Sequence, residues 1–467
     1  MVSSPQRVGV LALARSTFDI PYAEEMTAKA FARLDAEGFH TVGPRALLCD
    51  ADSARAAAKE LKEQGIDALL LLQVTFTDAS MTLELAQALS VPLAIWAFPE
   101  PRSGGRLRLN SFCGLNLAAH ALGRAGVDYR YRFEAPDAEL PLAKLSFWEG
   151  NEQSPLQTHG PLILPAEKAK AAAVLAGLKD RRIGLIGEHP VGFDTCRFDE
   201  KNVDDLVGIR IDRIALGELF AKAAATPSRR TNALREKVKH LKGVDTIDQS
   251  QLQKSLSLFE GLAALKDEKG LSAFAVRCWP EMFTEYGCAI CGPMGMMNSN
   301  GVPAACEADV YGAITALMMQ EIAGAPSWLV DIVDVDTSDD TAVFWHCGSA
   351  PEAMRDPAYA AEAQIHSNRK MPLLYQFPLK PGRITIARLS QANNQPHLML
   401  ASGTVLRAPL SFTGTSGVVK LDTPANAAIA GLIGGAYEHH VAMVYGDHLA
   451  AMAALGEALN LPVTMLA

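Results

Sequence analysis

The chain has 467 residues, and its 43 Lys and Arg against 52 Asp and Glu give a formal net charge of −9. At roughly 100 to 200 residues per domain, this length predicts about three domains. The acidic balance and the scattered basic residues argue against nucleic acid or a membrane as a partner, and the 49% hydrophobic content favours a globular homo-oligomer.

We expect no secretion signal in the N-terminal segment MVSSPQRVGVLALA. It lacks the basic region and the cleavage site of a signal peptide, and its apolar run at residues 8–14 is too short to cross a bilayer. No other apolar stretch approaches the required length. We therefore expect a cytoplasmic protein whose eight cysteines are reduced thiols.

Residues 1–170 are expected to form an α/β domain. Apolar strand patterns at 7–14, 66–75 and 91–98 alternate with amphipathic helical stretches. Strands that are apolar throughout are typical of a parallel sheet covered on both faces, so this domain is predicted to be doubly wound. Ligands of such sheets bind beyond the carboxyl ends of the strands, which singles out the loops at 15–19 and 73–78.

Two further domains are expected after it. Residues 171–350 again alternate helices with apolar strands, such as RIGLIG at 182–187, which predicts a second doubly wound α/β domain. In residues 351–467, short β-type runs separated by Gly, Pro and Asn indicate a β-rich, barrel-like domain that ends with a helix and a last strand.

Candidate functional residues are concentrated between 277 and 348. Glu307 and Asp309 precede a strongly apolar helix, where a carboxylate is either a stabilising first-turn charge or a functional group. Asp331 interrupts the apolar pattern WLVDIV, where an ionised carboxylate without a partner would be costly. His346 ends another apolar run, and taken alone it is also explained as a core residue.

Two adjacent histidines, His439 and His440, follow a Gly-Gly loop near the C-terminus. Neighbouring side chains on an extended segment point to opposite faces, so we expect only one of the pair to face a given metal. Carboxylates and imidazoles from separate segments form an oxygen and nitrogen ligand set. Such a set suits Mn²⁺, or Mg²⁺ or Co²⁺, better than a thiolate zinc site does.

The same stretch is rich in cysteine. Cys288 and Cys291 form a CxxC, with Cys278, Cys306 and Cys347 nearby in sequence. A zinc site would need a second pair at matching spacing, which the sequence lacks, so we expect buried or pocket-lining thiols. The chain also lacks the glycine-rich phosphate-binding motifs, which argues against nucleotide phosphate chemistry.

In the order of these motifs and the character of its domains, the chain resembles the L-fucose isomerase and L-arabinose isomerase superfamily over most of its length. In that family a Glu opens a helix after a Gly-rich loop, an acidic residue follows on a strand, and a His comes from a late loop. The resemblance implies that Glu307 and Asp331 are catalytic proton carriers and metal ligands, and that His440 and His346 complete the metal site. It implies an aldose–ketose isomerase that acts through an ene-diol on a pentose, a 6-deoxyhexose or a related sugar.

The resemblance also implies substrate contacts. The arabinose branch favours His440 as the ligand and His439 as a substrate contact, whereas the fucose branch would favour His439 as the ligand. Arg15 stands where the fucose branch has a sugar-contacting Arg, and Trp279 and Glu281 fall among residues of the pocket wall. From the sequence alone, Arg15 is equally a surface charge and Trp279 equally a core residue. Members of the superfamily are commonly trimers or hexamers, so we expect a homo-oligomer.

Two other functions remain compatible with the sequence. One is a different metal-dependent sugar or sugar-acid enzyme on the same scaffold, since a fold does not fix a reaction. The other is a catalytically silent sugar-binding protein. Glu307, Asp331 and His440 favour an enzyme over the silent protein.

Overall fold

Three β-sheets, each with its own helices, make up the residues 7–138 and 160–466 that the computed structural model describes. The predicted fold class, two doubly wound α/β units followed by a β-rich unit, is confirmed. Within those ranges, no helix combines the length and the apolar character needed to cross a bilayer.

The first sheet is parallel, with strand order β2-β1-β4-β5-β6 and β3 also paired to β1. Its strands are β1 (Val8–Leu13), β2 (Thr41–Val42), β3 (Leu47–Leu48), β4 (Ala68–Gln73), β5 (Leu93–Ala97) and β6 (Arg130–Phe133), and its helices are α1 (Ile20–Ala36), α2 (Ala51–Gln64), α3 (Ser80–Leu89) and α4 (Ser111–Ala125). Alternate strand residues enter two different cores: Val10 and Leu70 pack with α1, and Leu11 and Leu71 with α2 to α4. This two-sided burial explains why the strands are apolar throughout.

The second sheet is also parallel, with strand order β10-β9-β7-β8. Its strands are β7 (Arg182–Ile186), β8 (Arg210–Ile214), β9 (Ala273–Val276) and β10 (Ala304–Ala305), and the helices around it are α5 (Pro165–Leu178), α6 (Glu200–Val207), α7 (Leu216–Ala224), α8 (Ser228–Val238), α9 (Gln249–Lys269), α10 (Cys291–Ser299) and α11 (Val310–Ala323). Strands β9 and β10 are neighbours, so the loops that follow them leave the same edge of the sheet.

The third sheet contains a closed barrel. Its elements are β11 (Trp328–Asp336), β12 (Thr341–His346), β13 (Glu362–Gln364), β14 (Leu374–Pro378), β15 (Gly382–Ser390), β16 (His397–Val405), β17 (Thr415–Leu421), β18 (His440–Tyr445) and β19 (Val463–Met465), with helices α12 (Ala425–Ile429) and α13 (Leu449–Ala458). Six of these strands pair antiparallel in the closed order β17-β12-β11-β18-β15-β16-β17. Closure removes the exposed strand edges of an open sheet.

The barrel takes its first two strands, β11 and β12, from residues that the predicted boundary at 350 assigns to the central domain. These strands form an antiparallel hairpin across residues 337–340. A tight hairpin pairs strands antiparallel, whereas the central sheet is parallel, so the hairpin joins the barrel instead. The three domain ranges themselves stay a prediction.

Candidate active site

A cavity lies where segments of the three sheets meet. Its lining comes from the first α/β unit (Arg15, Thr17, Phe18, Phe76, Asn110), from segments of the second (Cys278, Trp279, Phe283, Cys291, Cys306, Glu307) and from the barrel unit (Asp331, Trp345, His346, Cys347, His366, Arg369, His439). The two loops predicted from the first sheet, at 15–19 and 73–78, both contribute residues.

Glu307 occupies a short turn between β10 and α11, and its backbone is in the left-handed region with φ 57°. A non-glycine residue there costs of order 1–3 kcal/mol, and such residues cluster at functional sites. Its Oε1 accepts a hydrogen bond from Trp279 Nε1 at 3.2 Å, and its Oε2 lies 3.0 Å from His439 Nε2. Burial raises the pKa of Glu307, but the hydrogen bond to His439 and the nearby imidazoles outweigh it and lower the pKa to about 2. The carboxylate is therefore ionised at neutral pH.

Asp331 and His440 are direct neighbours on the paired strands β11 and β18. His440 Nε2 lies 3.4 Å from Asp331 Oδ1 and 3.7 Å from Glu307 Oε2. Asp331 Oδ1 and His440 Nε2 are buried and have no hydrogen-bond partner among the described residues. Buried polar atoms normally have partners, so two orphaned atoms beside a third ligand-type oxygen fit a bound cation.

A buried ion network fixes the orientation of His440. Asp309 Oδ2 lies 2.9 Å from His440 Nδ1, and the same carboxylate pairs with Arg388 at 2.5 Å and accepts a hydrogen bond from Gly312 N. Burial raises the pKa of Asp309, but Arg388 and His440 outweigh it and hold the pKa well below its usual range. An ionised Asp309 accepts a hydrogen bond from the Nδ1–H of His440, so the lone pair of His440 Nε2 points towards Asp331 and Glu307.

His346 ends β12 and is buried beside this site. Its Nδ1 accepts a hydrogen bond from the backbone N–H of Cys347 at 2.8 Å, and its Nε2 has no partner among the described residues. A neutral imidazole that accepts a hydrogen bond at Nδ1 carries its own proton on Nε2. In this arrangement Nε2 is a donor, and metal binding at Nε2 would need that proton to leave. Asp331, His346 and His440 nevertheless each offer a ligand atom within 4.8 Å of the other two, so His346 stays a predicted metal ligand.

The expectation that His439 and His440 face opposite directions is wrong. Their rings stack at a centroid distance of 3.9 Å, and both Nε2 atoms approach Glu307 Oε2. The physical reason is that β18 begins at His440 while the backbone bends at His439, so strand alternation does not apply to this pair. Only His440 has its Nδ1 held by a carboxylate.

The predicted substrate contacts divide into two groups. Arg15 and Trp279 line the cavity together, with the Arg15 guanidinium 5.0 Å from the Trp279 ring centroid and paired to Asp78 at 2.8 Å. Glu281 is not part of the cavity lining. It forms a bidentate ion pair with Arg277 at 2.6 and 2.7 Å, which engages both of its carboxylate oxygens. The predicted substrate contact of Glu281 is therefore not supported by its position.

Arg369 is a cavity residue that the sequence did not reveal. Its guanidinium lies 5.7 Å from the Trp279 ring centroid and 5.9 Å from that of Phe283. Burial and the nearby Arg15 lower its pKa, and across 7–138 and 160–466 no carboxylate pairs with it. It lies in a polar loop between β13 and β14 that carries no recognisable motif.

Four cysteines also line the cavity, as the sequence predicts. Cys278 Sγ lies 2.7 Å from Cys306 Sγ, and both residues are free thiols. The Cys291 thiol and burial raise the pKa of Cys347 to about 12. The thiols therefore form two pairs instead of a single tetrahedral group.

Comparison with known proteins places the chain among sugar isomerases. Residues 9–141 match the model of the fucose/sulfoquinovose isomerase N-terminal domain. The sulfoquinovose isomerase of Priestia megaterium is 28% identical over 96% of this chain and 96% of its own length. That of Alkalicoccus urumqiensis is 29% identical over 97% of this chain and 98% of its own length.

Over most of its length the chain is similar to sulfoquinovose isomerases, and its N-terminal part to the fucose/sulfoquinovose isomerase domain. The predicted resemblance and the predicted enzyme class, a sugar isomerase, are thereby confirmed. The metal, the sugar and the role of each residue in this protein stay predictions. A solved galactofuranose-binding protein also matches, with 11% identity over 69% of this chain and 90% of its own length. The TM-score of this match is only 0.18.

Proposed function

We propose that this fucose isomerase-like protein is a metal-dependent aldose–ketose isomerase whose sugar carries an anionic group. Glu307, Asp331 and His440 would hold a divalent cation. The observation that carries the proposal is the approach of Glu307 Oε2 and Asp331 Oδ1 to one nitrogen, His440 Nε2, at 3.7 and 3.4 Å. Asp331 Oδ1 and His440 Nε2 are buried and have no hydrogen-bond partner within the described part of the chain.

The ligand atoms favour a particular class of metal. Two carboxylates and one imidazole suit Mn²⁺, Mg²⁺ or Co²⁺. When bound, such an ion polarises the sugar carbonyl and orients the neighbouring oxygen. The Nε2–H of His346 adds a hydrogen-bond donor to the same part of the cavity.

Isomerisation also requires a proton to move between two adjacent carbons. Glu307 is ionised and faces the cavity, so it can accept a proton from the carbon next to the carbonyl. Asp331 faces the same space from the barrel and supplies a second carboxylate for the return of a proton. His439 and Trp279 hold the two oxygens of Glu307 by hydrogen bonds, which fixes the direction in which the carboxylate points.

Arg369 supports an anionic substrate. Its guanidinium is half-buried and has no carboxylate partner among the residues that the structure describes, so a bound anion would offset its desolvation cost. Arg15 lies on the same cavity wall, but its charge is paired with Asp78 at 2.8 Å. The curated relatives are named sulfoquinovose isomerases. The sulfonate of such a sugar is negatively charged and could pair with the Arg369 guanidinium.

The test is substrate discrimination in Arg369→Met. With Mn²⁺ present, we expect the wild type to prefer sulfoquinovose over glucose, which has a hydroxyl in place of the sulfonate. Because a hydrogen bond to a charged group contributes about 1.5–3 kcal/mol, the variant should lose about 10- to 100-fold in kcat/KM for the sulfonated sugar only. The matched control is Lys370→Met, which removes an exposed charge from the same loop and should keep the preference. Equal losses on both sugars would contradict an anion-binding role for Arg369.

A further inference from the structure

We propose that Cys278 and Cys306 are a modification site, where a peroxide oxidises the two thiols to a reversible disulfide that inactivates the site. The two sulfurs lie 2.7 Å apart, and both thiols line the sugar cavity. The sequence singled out this cysteine-rich block, and the isomerase reaction gives it no role. The loss of activity described below rests on the proposed function, whereas the cross-link itself does not.

The backbone already brings the pair together. Cys278 follows β9 and Cys306 follows β10, and these parallel strands are paired at Ala304 with Phe274 and at Ala305 with Ala275. A disulfide needs its sulfurs at about 2.05 Å, so only a small approach of the side chains is required. The two strands are anchored in the sheet, which keeps the thiols in contact.

The cross-link would act on the catalytic carboxylate through its immediate neighbours. Cys306 directly precedes Glu307, whose backbone is in the left-handed region, and Cys278 directly precedes Trp279. Trp279 Nε1 donates to Glu307 Oε1 at 3.2 Å. Pulling the two sulfurs together moves the donor and the acceptor of this hydrogen bond, and Glu307 loses its fixed orientation.

The chemistry balances with hydrogen peroxide as the oxidant. The sulfur of one thiol attacks an oxygen of the peroxide and the O–O bond breaks, which gives a sulfenic acid and one water. The second thiol attacks the sulfenic sulfur, the S–S bond forms, and the hydroxyl leaves as a second water. The two thiols lose two electrons and two protons, and a reducing dithiol restores them. Peroxide is small enough to reach thiols inside a cavity.

The experiment treats the full-length protein with hydrogen peroxide and follows thiols, mass and activity together. We expect two of the eight thiols to be lost, a peptide pair linked through Cys278 and Cys306, and at least a tenfold loss of isomerase activity that dithiothreitol reverses. In Cys306→Ser and Cys278→Ser, measured against their own untreated samples, the loss should not occur. Cys49→Ser, which removes an exposed thiol, and Cys291→Ser should remain sensitive.

The outcomes separate this proposal from the isomerase proposal. A link between other cysteines, or equal sensitivity of Cys306→Ser, would overturn the disulfide proposal. Modification without the Cys278–Cys306 link would overturn it as well. If the untreated protein isomerises none of the sugars tested, the linked peptides still decide whether the pair forms, and only the isomerase assignment fails.

Discussion

Replacing Glu307 with Gln is expected to lower kcat by roughly 10²- to 10⁴-fold while the protein stays folded, because general acid–base catalysis contributes about that much. The amide keeps the volume of the side chain and can still accept the hydrogen bond from Trp279. It cannot accept a proton from carbon, and it removes one charge from the proposed cation site. Turnover and solvent deuterium uptake at the sugar carbon next to the carbonyl should fall together.

The matched control for that variant is Glu285→Gln, which neutralises an exposed carboxylate in the turn after Pro280. It should keep wild-type turnover and deuterium uptake. Circular dichroism and the thermal unfolding midpoint separate a chemical defect from a folding defect. Wild-type turnover in a folded Glu307→Gln protein would remove the assignment of this residue.

Removing divalent metal is expected to give the second largest effect. A Lewis acid supplies several kcal/mol of transition-state stabilisation, so exhaustive treatment with EDTA should lower activity by at least about 10²-fold. Adding back Mn²⁺ should restore it, with Mg²⁺ and Co²⁺ as the comparison ions. The metal content of each sample, measured by elemental analysis, should follow its activity.

The chelation experiment needs a control for unfolding. The metal-free protein should keep its far-UV circular dichroism spectrum, because the orphaned atoms of Asp331 and His440 lie in a barrel that pairs through backbone hydrogen bonds. Full activity with no metal in the protein would contradict the proposed metal dependence and leave the isomerase class intact.

Local pattern was sufficient to predict most of the fold. The apolar runs that became β1, β4 and β5 and the short runs that became β14 to β17 were visible in the sequence. Periodicity could not predict which sheet β11 and β12 join, because both kinds of sheet bury apolar strands. That choice depends on the hairpin at 337–340.

The site was predicted in part for similar reasons. Glu307, Asp331 and His440 interrupt apolar patterns or follow a glycine-rich loop, and the structure brings them together. Arg369 lies in a polar loop where a charged residue is ordinary, so no local signal marks it. Arg388 did carry a signal, since a cation in the apolar run RITIARL needs a buried partner, and the structure supplies Asp309.

The central claim is that one divalent cation binds between Glu307, Asp331 and His440. Crystals grown with Mn²⁺ and measured at the manganese absorption edge test it most directly, because the anomalous signal locates the ion without reference to activity. We predict a single strong peak within about 2.0–2.3 Å of ligand atoms from all three residues, close to typical oxygen and nitrogen ligand distances. A peak at another site, or none here at saturating Mn²⁺, would contradict the account.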